Sequence, residues 1–407
     1  MIPSTSVEFP AALGGTRRLS KSLSFLLLAS MEVSFLAGSI APTPVYALYQ
    51  AAWGYTPITT TLVFAVYALA VLASLLIAGS VSDHVGRRPV LLAALAFQGL
   101  AMLLFATAGG VNALLIARVV QGLSTGAALG ALGAGMLDID RARGTIANSV
   151  APMLGTATGG FVSGLMVQFL PSPTHLVYLA LLAVFALQGV GVLSMPEMST
   201  PAPGALASLR PQLRLPVSLR RAVWLAAPLL IASWALAGFY GSLGPALVRT
   251  LVGAKSPLLG GLAILAFAGS GALTVLLLRA QAARGLTILG ASSLAAGVAL
   301  TLAALSLGSV VFFFLGTGLA GAGFGAGFQG AIRSVVPLAS SQERAGVLSV
   351  LFLISYLAMG VPAVAAGARV VYGRGLSNTA WEYGITVIAL ALLALLAPFA
   401  LAARRPQ

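Results

Sequence analysis

Between Glu32 and Asp83 the chain carries no Asp, Glu, Lys or Arg, and between Arg88 and Arg118 it again carries none. Apolar stretches of this kind recur along all 407 residues, separated by short polar or charged turns. Each is close to the ~20 residues that a helix needs to cross a bilayer. Only 7% of the residues are charged and 59% are hydrophobic. A soluble domain is nearer one quarter charged, so this chain cannot build a water-exposed surface and its main solvent is lipid.

Twelve spans follow, at about 20–48, 58–79, 89–108, 112–138, 144–170, 175–195, 222–248, 257–278, 286–306, 309–338, 346–368 and 380–402. The basic start (Arg17, Arg18, Lys21) reads as the flank of an uncleaved first span, because Glu32 interrupts the apolar run that a signal peptide would need. Residues 196–221 hold five prolines and four arginines (Arg210, Arg214, Arg220, Arg221), the composition of a linker. The expected organisation is therefore a six-helix bundle over 1–195, a cytoplasmic linker over 196–221 and a second six-helix bundle over 222–407. Arg143-Gly-Thr-Ile-Ala-Asn-Ser can be laid on Arg344-Ala-Gly-Val-Leu-Ser-Val at an offset of 201 residues, as an internal repeat requires.

Charge sets the orientation. With the linker inside, 16 of the 22 basic residues fall on the cytoplasmic side, including Arg404 and Arg405. Arg249, Lys255, Arg369 and Arg374 fall outside, and Arg118 and Arg333 lie within spans. The positive-inside rule then puts both termini in the cytoplasm, with a bacterial inner membrane as the expected plasma membrane. The net charge of +14 is explained by this topogenic role and by anionic headgroups, so no nucleic-acid partner is expected. There is no cysteine, and His84 and His175 sit in loops on opposite faces, so no metal site and no cofactor are expected.

Four stretches carry chemistry. The first is the polar island Gly79-Ser-Val-Ser-Asp83-His-Val-Gly86-Arg87-Arg88-Pro89. Its glycines allow a tight turn, and Asp83, Arg87 and Arg88 can pair with one another and with Asp138 at the end of the fourth span, forming a lock that changes with conformation. The second is Arg118-Val-Val-Gln121-Gly122, an arginine one to two turns inside the membrane that needs a carboxylate, carbonyls or water. The third is Glu32, alone in the middle of the first span and twelve residues before Pro44. An isolated carboxylate there is readily protonated, which suits proton coupling. The fourth is the glycine-rich fifth span around Asn148 and Pro152.

The island resembles the loop signature of the major facilitator superfamily, G-x-x-x-D-x-x-G-R-R, and the Arg118–Gly122 stretch resembles that superfamily's fourth-span motif. Glu32 with Pro44 is similar to the first span of its drug/proton antiporters, and the fifth span resembles a degenerate exporter motif. The resemblance implies two pseudo-symmetric six-helix bundles rocking about a midplane cavity, and assigns Asp83, Arg87 and Asp138 to a charge relay. The expected fold is an all-α membrane protein of twelve transmembrane helices, acting as a monomer. The expected activity is proton-coupled efflux of small amphipathic or cationic compounds. The alternative is transport of a small metabolite, anionic in one version, bound by Arg118 and Arg333. Cavity candidates are Asn148, Trp234, Tyr240, Phe328, Gln329, Arg333 and Tyr356. An embedded enzyme is disfavoured, because the eight acids are scattered over twelve spans with no nucleophile cluster. A non-transporting receptor is a further class.

Overall fold

The computed structural model describes residues 18–211, 213–252 and 256–402, with side chains to Leu396. Arg17, Lys255, Arg404 and Arg405 lie outside the described residues. Twelve helices there are long and apolar enough to cross a membrane. They are Lys21–Trp53, Pro57–Ala78, Arg87–Ala106, Val111–Ile139, Arg141–Phe169, Pro173–Leu193, Val217–Ser242, Pro257–Leu277, Ala283–Leu307, Val310–Leu338, Arg344–Tyr372 and Gly375–Leu396, called spans 1 to 12. No strand occurs among the described residues, as expected for a chain whose backbone polar groups must be satisfied within each lipid-facing segment. The fold is thus an all-helical, multi-pass membrane protein.

Several boundaries differ from the sequence expectation, each for a local reason. Span 1 runs on to Trp53 but breaks at Ala41, where Pro42 starts a second helical segment. Proline has no N–H to donate and its ring clashes one turn back, so the helix must interrupt there. Span 3 begins at Arg87, so the two loop arginines form its first turn rather than the loop. Span 7 begins at Val217, after Pro216, so Arg220 and Arg221 sit on the helix and not in the linker. A short helix, Gly244–Val252, continues span 7.

Small residues decide how closely spans approach. Gly122, Gly126 and Gly130 recur every four residues along span 4 and face span 2. A Cβ on Gly130 would stand 2.6 Å from the Gly79 carbonyl, so the two backbones touch. Spans 5 and 8 meet across the two halves of the chain in the same way, with Gly160 and Gly164 against Ile264 and Gly261. Spans 2 and 11 form the other seam, lined by Phe64, Tyr67, Ala68, Val71, Tyr356 and Met359.

Two faces can be distinguished. The 79–88 loop and the linker share one, called the linker face. Among the described residues two side-chain hydrogen bonds join the halves, and both lie toward the opposite face. Thr43 Oγ1 donates to the Gly241 carbonyl at 2.9 Å, and Ser256 Oγ donates to Gln168 Oε1 at 3.1 Å.

Candidate functional site

The loop folds around Arg87, whose side chain is only 8% exposed. Its Nη1 bonds the Asp83 carboxylate and donates to Ser82 Oγ at 2.7 Å, and its Nε reaches Asp138 Oδ2 at 3.2 Å. The three charges expected to interact therefore do so. Arg88 is not part of that cluster: its guanidinium donates to the Leu193 carbonyl at the end of span 6.

A third acid, not foreseen from the sequence, completes the cluster. Glu197 Oε1 accepts from the Arg87 amide at 2.8 Å, and Oε2 accepts from the Arg88 amide at 3.1 Å. These N–H groups open span 3 and have no partner within their own helix, so a carboxylate there satisfies them and meets the positive end of the helix dipole. Gly86 makes this possible. Its φ of +101° belongs to glycine, and a Cβ would stand 2.7 Å from Glu197 Oε2. Partial burial opposes the Glu197 charge, but the amides of Arg87, Ser199, Met198 and Arg88 outweigh it and hold the carboxyl below the usual carboxylate range.

A depressed carboxyl contributes stability above its unfolded value, near ~4.3, and loses it as pH falls through its lower folded value. Glu197→Gln is therefore expected to lower stability at pH 7 by about 0.5 kcal/mol, a small figure because solvent screens an exposed carboxylate. Melting curves should show this gap to the parent closing between pH 5 and 3; a gap that is constant with pH would contradict the assignment.

The loop's remaining bonds run to the linker. The Ala202 amide donates to the His84 carbonyl at 2.9 Å, and Ser80 Oγ donates to the Ser208 carbonyl at 3.3 Å. The polar bonds of residues 79–88 thus tie spans 2, 3, 4 and 6 to the linker.

Arg118 is fully buried, but not beside a carboxylate. Nε donates to Tyr46 Oη at 2.9 Å, and Nη1 donates to the Ser39 carbonyl at 2.6 Å and to Gln121 Oε1 at 2.7 Å. Nη2 also bonds Tyr46 Oη. The rings of Tyr46, Tyr67 and Phe105 surround the guanidinium carbon at 5.1–5.6 Å. Gln121 Nε2 in turn donates to the Gly38 carbonyl at 2.9 Å. That carbonyl lies four residues before Pro42, the position whose helical donor proline removes. The Arg118–Gln121 pair is thus a patch over the span 1 break, and Ser163 adds a bond to the Ala41 carbonyl at 2.6 Å. Four of the five guanidinium N–H groups are spent here, so the expected cavity-side role for Arg118 gives way to a strut between spans 1 and 4.

Glu32 is 4% exposed, and no hydrogen bond reaches its Oε2. Among the described residues it makes no ion pair.

The cavity candidates separate. Trp234 meets Tyr356, Phe328 and Phe324 at ring-centroid distances of 5.2, 5.5 and 6.0 Å, and its indole Nε1 is buried without a partner. Trp234 also packs against the apolar cluster at the span 2–span 11 seam. Gln329 is half-buried on the same helix as Phe328. Tyr240 belongs elsewhere: it stacks on Phe267 at 4.7 Å and its hydroxyl pairs with Thr317 at 2.9 Å, which makes it packing within the second half. Arg333 donates to the Arg279 and Gln281 carbonyls at 2.9 and 3.2 Å, so it fastens the loop between spans 8 and 9 instead of facing a midplane cavity. Asn148 Nδ2 donates to the Gly133 carbonyl at 3.1 Å and ties span 5 to span 4, while its Oδ1 is buried and unpartnered. No group of His or acid residues able to hold a metal occurs among the described residues.

The family model described as Major Facilitator Superfamily matches residues 26–361. Among solved structures, a bacterial homologue of the human lysosomal transporter Spinster, in an inward-facing and unoccupied conformation, is similar with a TM-score of 0.73. It shares 13% identity, over 95% of this chain and 98% of that one. A variant of the nucleoside transporter NupG is similar with a TM-score of 0.68 and 12% identity, over 91% of this chain and 99% of that one. At these identities the likeness is one of fold.

Proposed function

Because this chain belongs to the Major Facilitator Superfamily, whose matched region takes in all but the start of span 1, the end of span 11 and span 12, we propose that it moves a small ring-bearing metabolite of nucleoside type by alternating access, with proton coupling through Glu32. The observation that carries this reading is the aromatic cluster at the seam. Three rings around Trp234 offer faces and edges for a flat ring to stack on, and the unpartnered indole N–H is a donor for a carbonyl or ring nitrogen. A nucleoside transporter among the similar structures agrees with this class. The basic linker face is taken as cytoplasmic. The halves are then joined toward the outside, and the loop around Arg87 acts as the latch that steadies the first half as it rocks.

The test is counterflow of labelled uridine and adenosine in proteoliposomes. Trp234→Phe keeps a ring but loses the donor, and KM is expected to rise about fivefold, the worth of one hydrogen bond. Trp234→Ala should abolish counterflow. Wild-type kinetics in both variants, or no counterflow of either nucleoside, would retire the reading.

A second reading, efflux of amphipathic cations, is favoured by Glu32, the one acid within a span and without an ion-pair partner among the described residues on its half. Ethidium extrusion in the same vesicles, without nucleoside counterflow, would establish it in place of the first.

A further inference from the structure

Toward the linker face, spans 7, 9, 10 and 12 of the second half leave a cavity of about 390 Å³ between them. Its walls are mainly apolar, with Ala226, Leu229, Ile288, Ala331 and Leu395 among them. The two hydroxyls present, on Thr287 and Ser334, already donate to carbonyls of their own helices. Water would find few partners in such a space, and dispersion favours filling it with hydrocarbon.

The edge of the cavity is cationic. Arg284 contributes to the lining, is exposed, and makes no hydrogen bond or ion pair among the described residues. Arg220 and Arg221 stand exposed on the first turn of span 7, one turn before Trp224, which is 73% exposed at the depth where aromatic side chains mark a membrane interface. Among the described residues no acid pairs with them. The second half has two acids, and Glu343 is held by Ser340 while Glu382 pairs with Arg369 near the opposite face.

We propose that this cavity is a site for one anionic phospholipid, with an acyl chain inside and its phosphate on Arg284. A basic pocket between transmembrane helices, open at one leaflet, recognises a lipid headgroup through charge, and the apolar space behind it distinguishes a lipid from a free phosphate. The site is separate from the aromatic cluster around Trp234, so its occupancy does not depend on which solute the protein carries.

Native mass spectrometry of the full chain in detergent, with added dioleoyl phosphatidylglycerol or dioleoyl phosphatidylcholine, tests this. The wild type should retain one phosphatidylglycerol and little phosphatidylcholine. Arg284→Gln, which removes an exposed side chain with no bond among the described residues, should lower phosphatidylglycerol retention about fivefold, the worth of one interfacial arginine. Ala226→Phe should exclude the lipid by filling the cavity. Equal retention of the two lipids by the wild type, or unchanged retention in Arg284→Gln, would overturn the charge assignment. Unchanged retention in a folded Ala226→Phe would overturn the seat of the acyl chain.

Discussion

Arg118→Leu is expected to destabilise the protein by about 3 kcal/mol or more, because the groups it leaves behind are buried acceptors in hydrocarbon. The Ser39 carbonyl loses its donor, Tyr46 Oη loses two, and Gln121 loses the contact that orients it toward the Gly38 carbonyl. The Gly38 carbonyl is free in the first place because Pro42 removes its helical donor, and the break at Ala41 lies beside the Ser39 carbonyl that Arg118 holds. The fourth-span motif and the first-span prolines are therefore two parts of one device. Proline breaks the helix, and an arginine and a glutamine from a neighbour repair it. Arg118→Lys should fall between wild type and Leu: a single ammonium cannot reproduce a planar fork that bonds Tyr46, Ser39 and Gln121 together. Thermal melting in detergent measures both variants, and transport should fall in proportion to the folded fraction. A lysine variant that melts like the wild type but fails to transport would reverse the assignment, making Arg118 a ligand-binding group rather than a strut.

The same stretch shows what the sequence could and could not disclose. Spans were legible because hydrocarbon imposes a length and a polarity on every crossing segment, and the elements shifted by only a few residues where Pro42, Pro216 or the Gly86 turn reset a helix end. The Asp83–Arg87–Asp138 contact was legible because charges so rare in this chain have few partners to choose from. Glu197 was not, since it lies 110 residues from Arg87. A signal existed nonetheless: it is the acid just past the end of span 6 on the basic face, where two arginines begin a helix. Side-chain direction within spans was the real gap. Helices that are apolar on all sides carry little amphipathic pattern to fix their rotation, so Tyr240 and Arg333 read as cavity residues although one is packed in the second half and the other fastens a loop. Arg118 was misjudged for a related reason: a buried cation needs a partner, and the sequence does not say that Tyr46 and the Ser39 carbonyl stand within its reach.

If the proposed proton coupling runs through Glu32, Glu32→Gln is expected to separate solute exchange from accumulation driven by a pH gradient. The variant keeps the size and packing of the side chain but can neither release nor take up a proton. Nothing in the described structure ties the carboxyl down, because its Oε2 has no hydrogen-bond partner and no arginine or lysine pairs with it. A charge held there without a partner is costly, and binding a proton relieves that cost, so the two protonation states differ in how well they tolerate a buried position. If the halves rock only when that cost is removed, proton uptake gates the empty return of the carrier. Solute exchange at equal pH on both sides does not need this step and should continue at roughly the wild-type rate. Accumulation driven by a pH gradient does need it and should fall at least about tenfold, since a coupling of ~1.4 kcal/mol already corresponds to that factor. Proteoliposomes loaded with solute and then given an imposed pH gradient measure both rates on one preparation. Equal loss of exchange and accumulation would make Glu32 a packing or substrate residue. Accumulation at the wild-type level, with unchanged pH dependence, would move the proton site elsewhere in the chain.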